Sequence, residues 1–268
     1  MIELQVPANK KVYFASDFHL GFPDVVSSLD RERKLVSWME SIESNASHLF
    51  LMGDIFDFWF EYGKTVPAGF TRFIGKLANL SDAGIQIHIF IGNHDLWMWD
   101  YFEKEISARI YREPTHLKLK FANSEKNLWI GHGDGLGPGD HGYKLLKKVF
   151  TNPLAQFMFK WLHPNIGIAL AHFWSETRKK KAITKGEDPF DEPTEYIVNY
   201  IKEIKPKLDQ QNLGIDTYVF GHRHLPISFP INNSTIYYNL GDWFNPHFKN
   251  AYFLTIDENS TEFNHFKA

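Results

Sequence analysis

Short runs of consecutive apolar residues recur along the chain, separated by polar segments that contain glycine. Such runs are typical of strands that are buried on both faces of a sheet. Five runs predict strands, at residues 11–16, 48–52, 85–91, 128–130 and 217–220. Two longer segments between the early strands, residues 29–44 and 68–83, carry apolar side chains at helical spacing. Strands that alternate with helices of this length predict a layered α/β fold.

The second half of the chain departs from this alternation in two places. Residues 227–253 contain short alternating runs broken by Asn-Asn and Gly-Asp pairs, a pattern that predicts antiparallel strands. Residues 143–185 carry two apolar stripes at helical spacing, interrupted at His163-Pro164. We interpret this segment as a helical lid inserted into the α/β core, so that residues 1–268 form a single domain.

The predicted lid also differs from the rest of the chain in charge. It contains nine lysine or arginine residues and one glutamate, a net charge of +8, which leaves −11 for the rest of a chain whose total is −3. Such asymmetry indicates a local surface for anionic partners.

Other features of the sequence limit the cellular setting. The chain has no cysteine, which excludes disulfides and thiolate metal ligands. Its first eleven residues lack the basic and apolar regions of a signal peptide. No apolar stretch reaches the roughly 18 residues of a membrane span. We therefore expect a cytoplasmic protein that is soluble or peripheral on a membrane.

Polar motifs follow directly after all five predicted strands. They are Asp17-Phe18-His19, Gly53-Asp54, Gly92-Asn93-His94-Asp95, Gly131-His132-Gly133-Asp134 and Gly221-His222-Arg223-His224. Ligands bind at the carboxyl ends of strands in open α/β sheets, so we expect these loops to converge on one point.

The side chains in these motifs are typical metal ligands. Imidazole, carboxylate and amide groups without thiolate favour manganese, iron or zinc over copper. Seven ligands that share one carboxylate, for which we choose Asp54, can serve two ions about 3.5–4 Å apart. A single buried histidine is more often a core residue than a ligand, but five such motifs after five strands favour a metal centre. The predicted ligands are Asp17, His19, Asp54, Asn93, His132, His222 and His224.

The order of these motifs resembles the signature of the calcineurin-like metallophosphoesterases: D-x-H, G-D, G-N-H-D, G-H-G-D and G-H-x-H. The resemblance implies a four-layer sandwich in which helices flank two sheets. It implies two divalent metal ions that activate water for attack on phosphorus, with manganese expected and iron or zinc as alternatives.

The same resemblance implies a role for each residue. One metal ion would be held by Asp17, His19, Asp54 and His224, and the other by Asp54, Asn93, His132 and His222. His94 matches the catalytic histidine of the family, and Asp95 matches its orienting partner.

Within this family, the chain resembles the group that hydrolyses UDP-2,3-diacylglucosamine in lipid A synthesis. The similar features are the aromatic-rich turn at residues 53–59, the Leu-Gly-Asp-Trp sequence at residues 240–243, and the position of the lid after His132. This resemblance implies that water attacks the α-phosphorus, which yields UMP and 2,3-diacylglucosamine 1-phosphate. One position departs from the group, because many of its members have arginine where this chain has His94.

The lid is where a glycolipid nucleotide substrate would meet the protein. Phe157 and Trp161 are expected to line a groove for acyl chains. The basic residues would hold the lid at the anionic cytoplasmic surface of the inner membrane. Core packing and a solvated lysine-rich face are the alternative explanation of the same pattern. The residues expected to contact the phosphate or glucosamine groups are Tyr143, Lys144, Asn152 and Arg178.

The motifs are also compatible with other functions. A phosphoesterase of this kind can act instead on a soluble nucleotide or on another phosphodiester or phosphomonoester. A non-catalytic scaffold can keep the fold, but such proteins typically lack several ligands, whereas all seven positions are filled here. No nucleic-acid partner is expected, because the basic residues accompany an apolar stripe that suits lipid better than a phosphate backbone.

Overall fold

Two six-stranded sheets form the centre of the protein within the residues that the computed structural model describes, which are 1–62, 64–137, 141–167, 188–244 and 250–267. The strands are β1 (Ile2–Gln5), β2 (Lys11–Ala15), β3 (Ala46–Leu51), β4 (Gln86–Phe90), β5 (Arg109–Tyr111), β6 (Thr115–Lys120), β7 (Glu125–Ile130), β8 (Thr217–Phe220), β9 (Pro226–Asn232), β10 (Thr235–Leu240), β11 (Ala251–Ile256) and β12 (Thr261–Phe266). The helices in these ranges are α1 (Val25–Ile42), α2 (Thr71–Asp82), α3 (Tyr101–Ile106), α4 (His141–Phe150), α5 (Pro153–Lys160) and α6 (Tyr196–Gln210).

The strand order brings the ends of the predicted motif-bearing strands to one edge of each sheet. Sheet 1 has the order β1-β6-β7-β8-β10-β9, and sheet 2 has the order β12-β11-β2-β3-β4-β5. Strands β2, β3 and β4 run parallel in sheet 2, and β7 and β8 run parallel in sheet 1. Their carboxyl ends therefore point the same way within each sheet.

Helices cover the outer faces of both sheets. The inner faces pack against each other across an apolar core in which the rings of Phe14 and Phe50 stack at 4.8 Å. Helices α1, α2 and α3 cover sheet 2, where Trp38 and Phe73 are fully buried. Helix α6 covers sheet 1 through residues such as Ile197. The order helix, sheet, sheet, helix confirms the predicted four-layer sandwich.

The predicted elements are present with small changes in their bounds. The five predicted strands correspond to β2, β3, β4, β7 and β8, and the two predicted helices to α1 and α2. The antiparallel pairs β9–β10 and β11–β2 confirm the expectation for residues 227–253. Helix α6 lies outside the elements predicted above, and it contains Pro206, an interior proline that disfavours a helix. Packing of its apolar stripe on sheet 1 outweighs that penalty.

Helices α4 and α5 occupy the first part of the predicted lid. Asn152 lies between them and caps α5, because its Oδ1 accepts hydrogen bonds from the backbone N of Leu154 (2.9 Å) and of Ala155 (3.2 Å). The first predicted apolar stripe forms α5. Most of the second stripe falls in 168–187, outside the described residues, as do Arg178 and the side chain of Tyr143. Among the helices that the structure describes, none combines the length and apolar character needed to cross a membrane.

Candidate metal centre

The loops that carry the predicted ligands meet at the carboxyl ends of their strands. In sheet 2, the loops after β2 and β3 are joined by backbone hydrogen bonds from Asp17 N to Gly53 O (3.1 Å) and from His19 N to Asp54 O (2.9 Å). These bonds continue the parallel pairing past the last strand residues and fix the relative position of two loops.

A second set of contacts joins the loops of the two sheets. In sheet 1, Gly221 N donates to His132 O at 2.8 Å, which pairs the loops after β7 and β8. Across the sheets, Oδ2 of Asp17 accepts a hydrogen bond from His222 N at 2.9 Å. The loop after β4 joins them through His94 N, which donates to Oδ1 of Asp54 at 2.9 Å. The five loops therefore form one connected rim.

Four predicted ligands form the first part of the centre. They are Asp17, His19, Asp54 and His224, whose potential ligand atoms all lie within 4.8 Å of one another. Nε2 of His224 lies 3.2 Å from Oδ1 of Asp17 and 3.1 Å from Nε2 of His19. Nε2 of His19 also lies 3.5 Å from Oδ2 of Asp54. The structure thus brings together every residue predicted for one metal ion.

The other predicted ligands lie on the opposite side of Asp54. Asp54, His132 and His222 form a second group within 4.8 Å. Nε2 of His132 lies 3.5 Å from Oδ2 of Asp54 and 3.3 Å from Oδ1 of Asn93. The same oxygen of Asp54 is therefore 3.5 Å from an imidazole nitrogen in each group. This is the position that a shared carboxylate requires.

The hydrogen bonding of these side chains fits divalent cations. Oδ1 of Asp17, Oδ2 of Asp54 and Nδ1 of His222 are buried and have no hydrogen-bond partner in the part of the chain that the structure describes. A buried polar atom without a partner is costly, and two metal ions that share Asp54 would satisfy all three. Nδ1 of His132 donates to Met52 O at 2.8 Å, so Nε2, which lies 3.5 Å from Oδ2 of Asp54, is the ring nitrogen available to a metal ion.

Electrostatics also favour positive charge at Asp54. Burial lowers the pKa of His132, but the charge of Asp54, a hydrogen bond to its carboxylate and the charges of Asp17 and Asp134 together outweigh burial and raise this pKa to about 10. Burial and the proximity of His132 instead lower the pKa of His222 to about 4. Without a metal ion, the carboxylates can thus hold a proton on one neighbouring imidazole, in the place where metal ions would supply the charge.

The backbone at the centre is strained. Five of the seven predicted ligands, all but Asn93 and His132, have a left-handed φ between +44° and +67°. This region is uncommon for residues other than glycine, and such residues cluster at functional sites. Gly92 leaves room for the Asp54 carboxylate, because a Cβ at position 92 would collide with it.

The residues around His94 make contacts that the sequence does not reveal. Both carboxylate oxygens of Asp95 accept backbone hydrogen bonds, Oδ1 from Gly92 N (2.6 Å) and Oδ2 from Ile55 N (2.9 Å). Asp95 therefore ties two loops together, and its role as the orienting partner of His94 remains a prediction. The ring of His94 is held by Asp57, whose carbonyl oxygen accepts a hydrogen bond from Nδ1 at 2.9 Å. The Asp57 carboxylate lies 3.6 Å from Nδ1 of His19 and 3.7 Å from Nδ1 of His94.

Helix α4, in the predicted lid, contacts the loops of the centre directly. Nζ of Lys147 on α4 lies 2.7 Å from Oδ2 of Asp134, two residues after His132. Nε1 of Trp97, three residues after His94, donates to Phe150 O at 2.6 Å.

A second anchor fixes α5. The ring of Phe159 packs on Trp97 at 4.6 Å and on Phe60 at 4.8 Å. The opposite face of α5 is exposed, with Phe157 at 58% and Trp161 at 77%. The helix therefore presents one face to the aromatic residues beside the centre and another to solvent.

Two of the predicted substrate contacts have structural roles. Nζ of Lys144 donates to Gly137 O at 2.6 Å, and Asn152 caps α5. Contact of either residue with substrate remains a prediction.

Two cations near the centre escaped sequence reasoning. Lys147 belongs to a basic run, and Arg31 lies among alternating charges on a helix, patterns that are typical of solvated faces. Only the packing of α1 and α4 shows that these two cations reach the loops of the centre.

Comparison with known proteins gives the class of the protein. The sequence profile of the family described as "Calcineurin-like phosphoesterase" matches residues 10–226. The chain belongs to this family, and it is therefore a metal-dependent hydrolase.

Individual relatives are more specific. A protein of Porphyromonas gingivalis named UDP-2,3-diacylglucosamine hydrolase is 36% identical over 244 residues, covering 87% of this chain and 90% of the relative. A protein of the same name from Pseudomonas fluorescens is 28% identical, covering 92% of each chain. An archaeal phosphodiesterase of known structure is similar with a TM-score of 0.44 and 11% identity over 96% of this chain and 98% of its own. We base the comparison on the two sequence relatives and draw no argument from the structural similarity.

Proposed function

We propose that the protein hydrolyses the pyrophosphate bond of UDP-2,3-diacylglucosamine, releasing UMP and 2,3-diacylglucosamine 1-phosphate. The chemistry is supported by the two groups of ligands that share Oδ2 of Asp54. The substrate is supported by the relative with this activity in its name, which matches nearly the whole chain at 36% identity.

Seven side chains would hold two divalent ions, for which we propose manganese. They are Asp17, His19, Asp54 and His224 for one ion, and Asp54, Asn93, His132 and His222 for the other. When bound, such ions lower the pKa of water and neutralise charge on phosphate oxygens. The protein would hold these ligands in place before the ions bind. The hydrogen bonds between the loops and the left-handed backbone conformations fix the ligand positions.

His94 would act on the phosphate from the side of Asp57. Because Nδ1 donates to the Asp57 carbonyl, Nε2 is the atom left to hold or release a proton at substrate oxygens. Burial lowers the pKa of His94, while the nearby Asp54 carboxylate raises it. A bound anionic phosphate would raise it further, so that the ring could gain the proton that stabilises charge or protonates the leaving oxygen.

The lid would receive the acyl chains. Leu154, Phe157, Met158 and Trp161 leave a large apolar area of α5 exposed beside the anchored face. Exposed apolar patches of this kind mark lipid or partner contacts, and Lys148 and Lys160 add positive charge for anionic headgroups. We propose that the protein works in the cytoplasm at the surface of the inner membrane.

The proposal is tested by product analysis in ¹⁸O-labelled water. Purified protein with Mn²⁺ and UDP-2,3-diacylglucosamine in mixed micelles should release UMP that carries one ¹⁸O atom, because attack is at the α-phosphorus. An Asp54→Asn variant, which lacks the shared carboxylate, is the control for a contaminating hydrolase. Label in the diacylglucosamine 1-phosphate would overturn the site of attack. Hydrolysis of a soluble phosphodiester without any UMP from the glycolipid would favour a soluble substrate.

A further inference from the structure

A buried arginine lies behind the His19 side of the metal centre. Arg31 on α1 is 6% exposed, and its Nη1 donates to the carbonyl oxygens of His19 (2.8 Å) and Phe22 (3.0 Å). Its Nη2 also donates to Phe22 O at 3.0 Å. Burial lowers the pKa of Arg31 to about 10, with Asp242 opposing, so the side chain stays charged at neutral pH.

The position of this charge is costly and needs an explanation. Within the described residues, no carboxylate forms a direct ion pair with Arg31, and its three hydrogen bonds go to backbone carbonyls. A buried cation without a carboxylate in direct contact is costly, even with the charges of Asp242 and Asp24 nearby. The carbonyls it contacts belong to the turn that begins at His19, where Phe22 N donates back to His19 O at 3.1 Å.

This turn fixes the side chain of His19. The backbone of His19 has a φ of +44°, a conformation that must be held by its surroundings. The ring of Phe244 packs on His19 at 5.0 Å and on His224 at 5.2 Å, and the Arg31 guanidinium lies 5.7 Å from its centroid. Arg31 thus supports His19 both through its carbonyl and through the aromatic ring beside it.

We propose that Arg31 is a positioning residue that sets the affinity of the metal ion held by Asp17, His19, Asp54 and His224. This inference rests on the proposed dinuclear function. Arg31 does not touch the ligand atoms but fixes the backbone from which Nε2 of His19 reaches them. Residues that orient metal ligands in this way typically change metal affinity by about 10- to 100-fold. The ion on the His132 side has no such contact with Arg31 and should be unaffected.

The experiment measures Mn²⁺ binding to metal-free protein in two backgrounds. His132→Ala leaves the His19 side to be measured, and His224→Ala leaves the His132 side. Arg31→Met is added to each, and free Mn²⁺ is followed by electron paramagnetic resonance. Arg33→Met is the matched control, because Arg33 is exposed on the same helix and pairs only locally with Asp30.

Arg31→Met should weaken binding at least about 10-fold in the His132→Ala background and by less than about 2-fold in the His224→Ala background. Arg31→Lys keeps the charge but not the forked donors, so we expect an intermediate loss, and this variant decides the matter if Arg31→Met does not fold. Equal losses in both backgrounds, or no loss beyond that of Arg33→Met, would overturn the inference while leaving the dinuclear function intact. Wild-type protein that binds no Mn²⁺ would instead overturn the proposed function, and this inference with it.

Discussion

Nε2 of His19 lies 3.1 Å from Nε2 of His224, although 205 residues separate the two histidines in the chain. Two imidazole nitrogens at this distance require a proton or a cation between them or beside them, since their lone pairs otherwise repel. The carboxylates of Asp17 and Asp54 on either side make a cation the better partner. We test this centre and the helix beside it with three predictions, and a fourth concerns a buried histidine elsewhere in the fold.

The first prediction concerns the shared carboxylate. Asp54→Asn keeps the shape of the side chain but removes the charge between the two groups, so both ions should be lost. In wild-type protein, Mn²⁺ at 100 times its Kd should raise the free energy of unfolding by about 2.7 kcal/mol per site. The variant should show almost none of this stabilisation in urea titrations with and without Mn²⁺. Asp30→Asn, at an exposed position, should retain all of it.

Removal of His94 should separate catalysis from metal binding. His94→Ala should lower kcat by about 10²- to 10⁴-fold, the usual contribution of acid–base catalysis, because no other ring replaces Nε2. Metal content measured by mass spectrometry should stay close to that of wild type, since His94 is not among the seven proposed ligands. Normal turnover by this variant would show that the ring plays no part in the reaction. His265→Ala, far along the chain on β12, serves as the unaffected comparison.

A substitution on the exposed apolar face of α5 should weaken the binding of lipid substrates and leave water-soluble substrates unaffected. Trp161→Glu places a charge on the apolar face of α5, and the loss of its contact should raise KM for the diacylated substrate about 10-fold. Hydrolysis of a water-soluble phosphodiester should change little. Ile236→Glu, an exposed apolar position on β10, is the matched control. If both substrates were affected alike, the role of this face would be structural.

A pH-dependent contribution to stability should come from a buried histidine away from the metal centre. Nε2 of His88 lies 3.2 Å from Nδ1 of His48, and its Nδ1 lies 3.1 Å from the hydroxyl of Tyr111. Burial, with smaller effects of His48 and Arg109, lowers the pKa of His88 to about 3. In the unfolded chain, His88 therefore binds a proton as the pH falls below about 6.5, whereas in the folded protein it stays neutral until about pH 3. The free energy of unfolding consequently decreases as the pH drops from 6.5 toward 3.

The size of this effect can be measured by subtraction. His88 should cost about 2 kcal/mol of the free energy of unfolding between pH 6.5 and pH 5. The side chain introduced by His88→Gln keeps hydrogen-bonding groups but does not titrate. Between pH 6.5 and pH 5, the free energy of unfolding of this variant should therefore decrease less than that of wild type, and the difference should equal the contribution of His88. Urea unfolding of both proteins with EDTA present removes the contribution of metal ions. Parallel curves for the two proteins would contradict the low pKa of His88.

Local patterns were sufficient to predict much of this centre. Each ligand-bearing loop follows a strand whose apolar run is unmistakable, and parallel pairing brings the ends of such strands together. His222 and His224 could be assigned as a pair because they occur in one short motif. The contact between His94 and Asp57 could not be assigned in this way. The motif itself points to Asp95, whereas in the fold the carbonyl oxygen of Asp57 accepts a hydrogen bond from the ring of His94.

Long-range packing decided the remaining features. Arg31 resembles a surface charge until α1 is placed against the turn after His19. Helix α6 resembles a broken segment until its apolar stripe is placed on sheet 1. In both cases the decisive partner lies on another element, and no periodicity within the segment reveals it.

The left-handed backbone of Asp17, His19, Asp54, His222 and His224 has an evolutionary consequence. Glycine would occupy each of these positions with less conformational penalty, so selection for a sturdier fold and selection for metal binding act in opposite directions there. A relative that no longer catalysed the reaction could replace these five residues by glycine and keep both sheets intact. The presence of non-glycine residues at all five positions of this chain is therefore the pattern that selection for metal binding would produce.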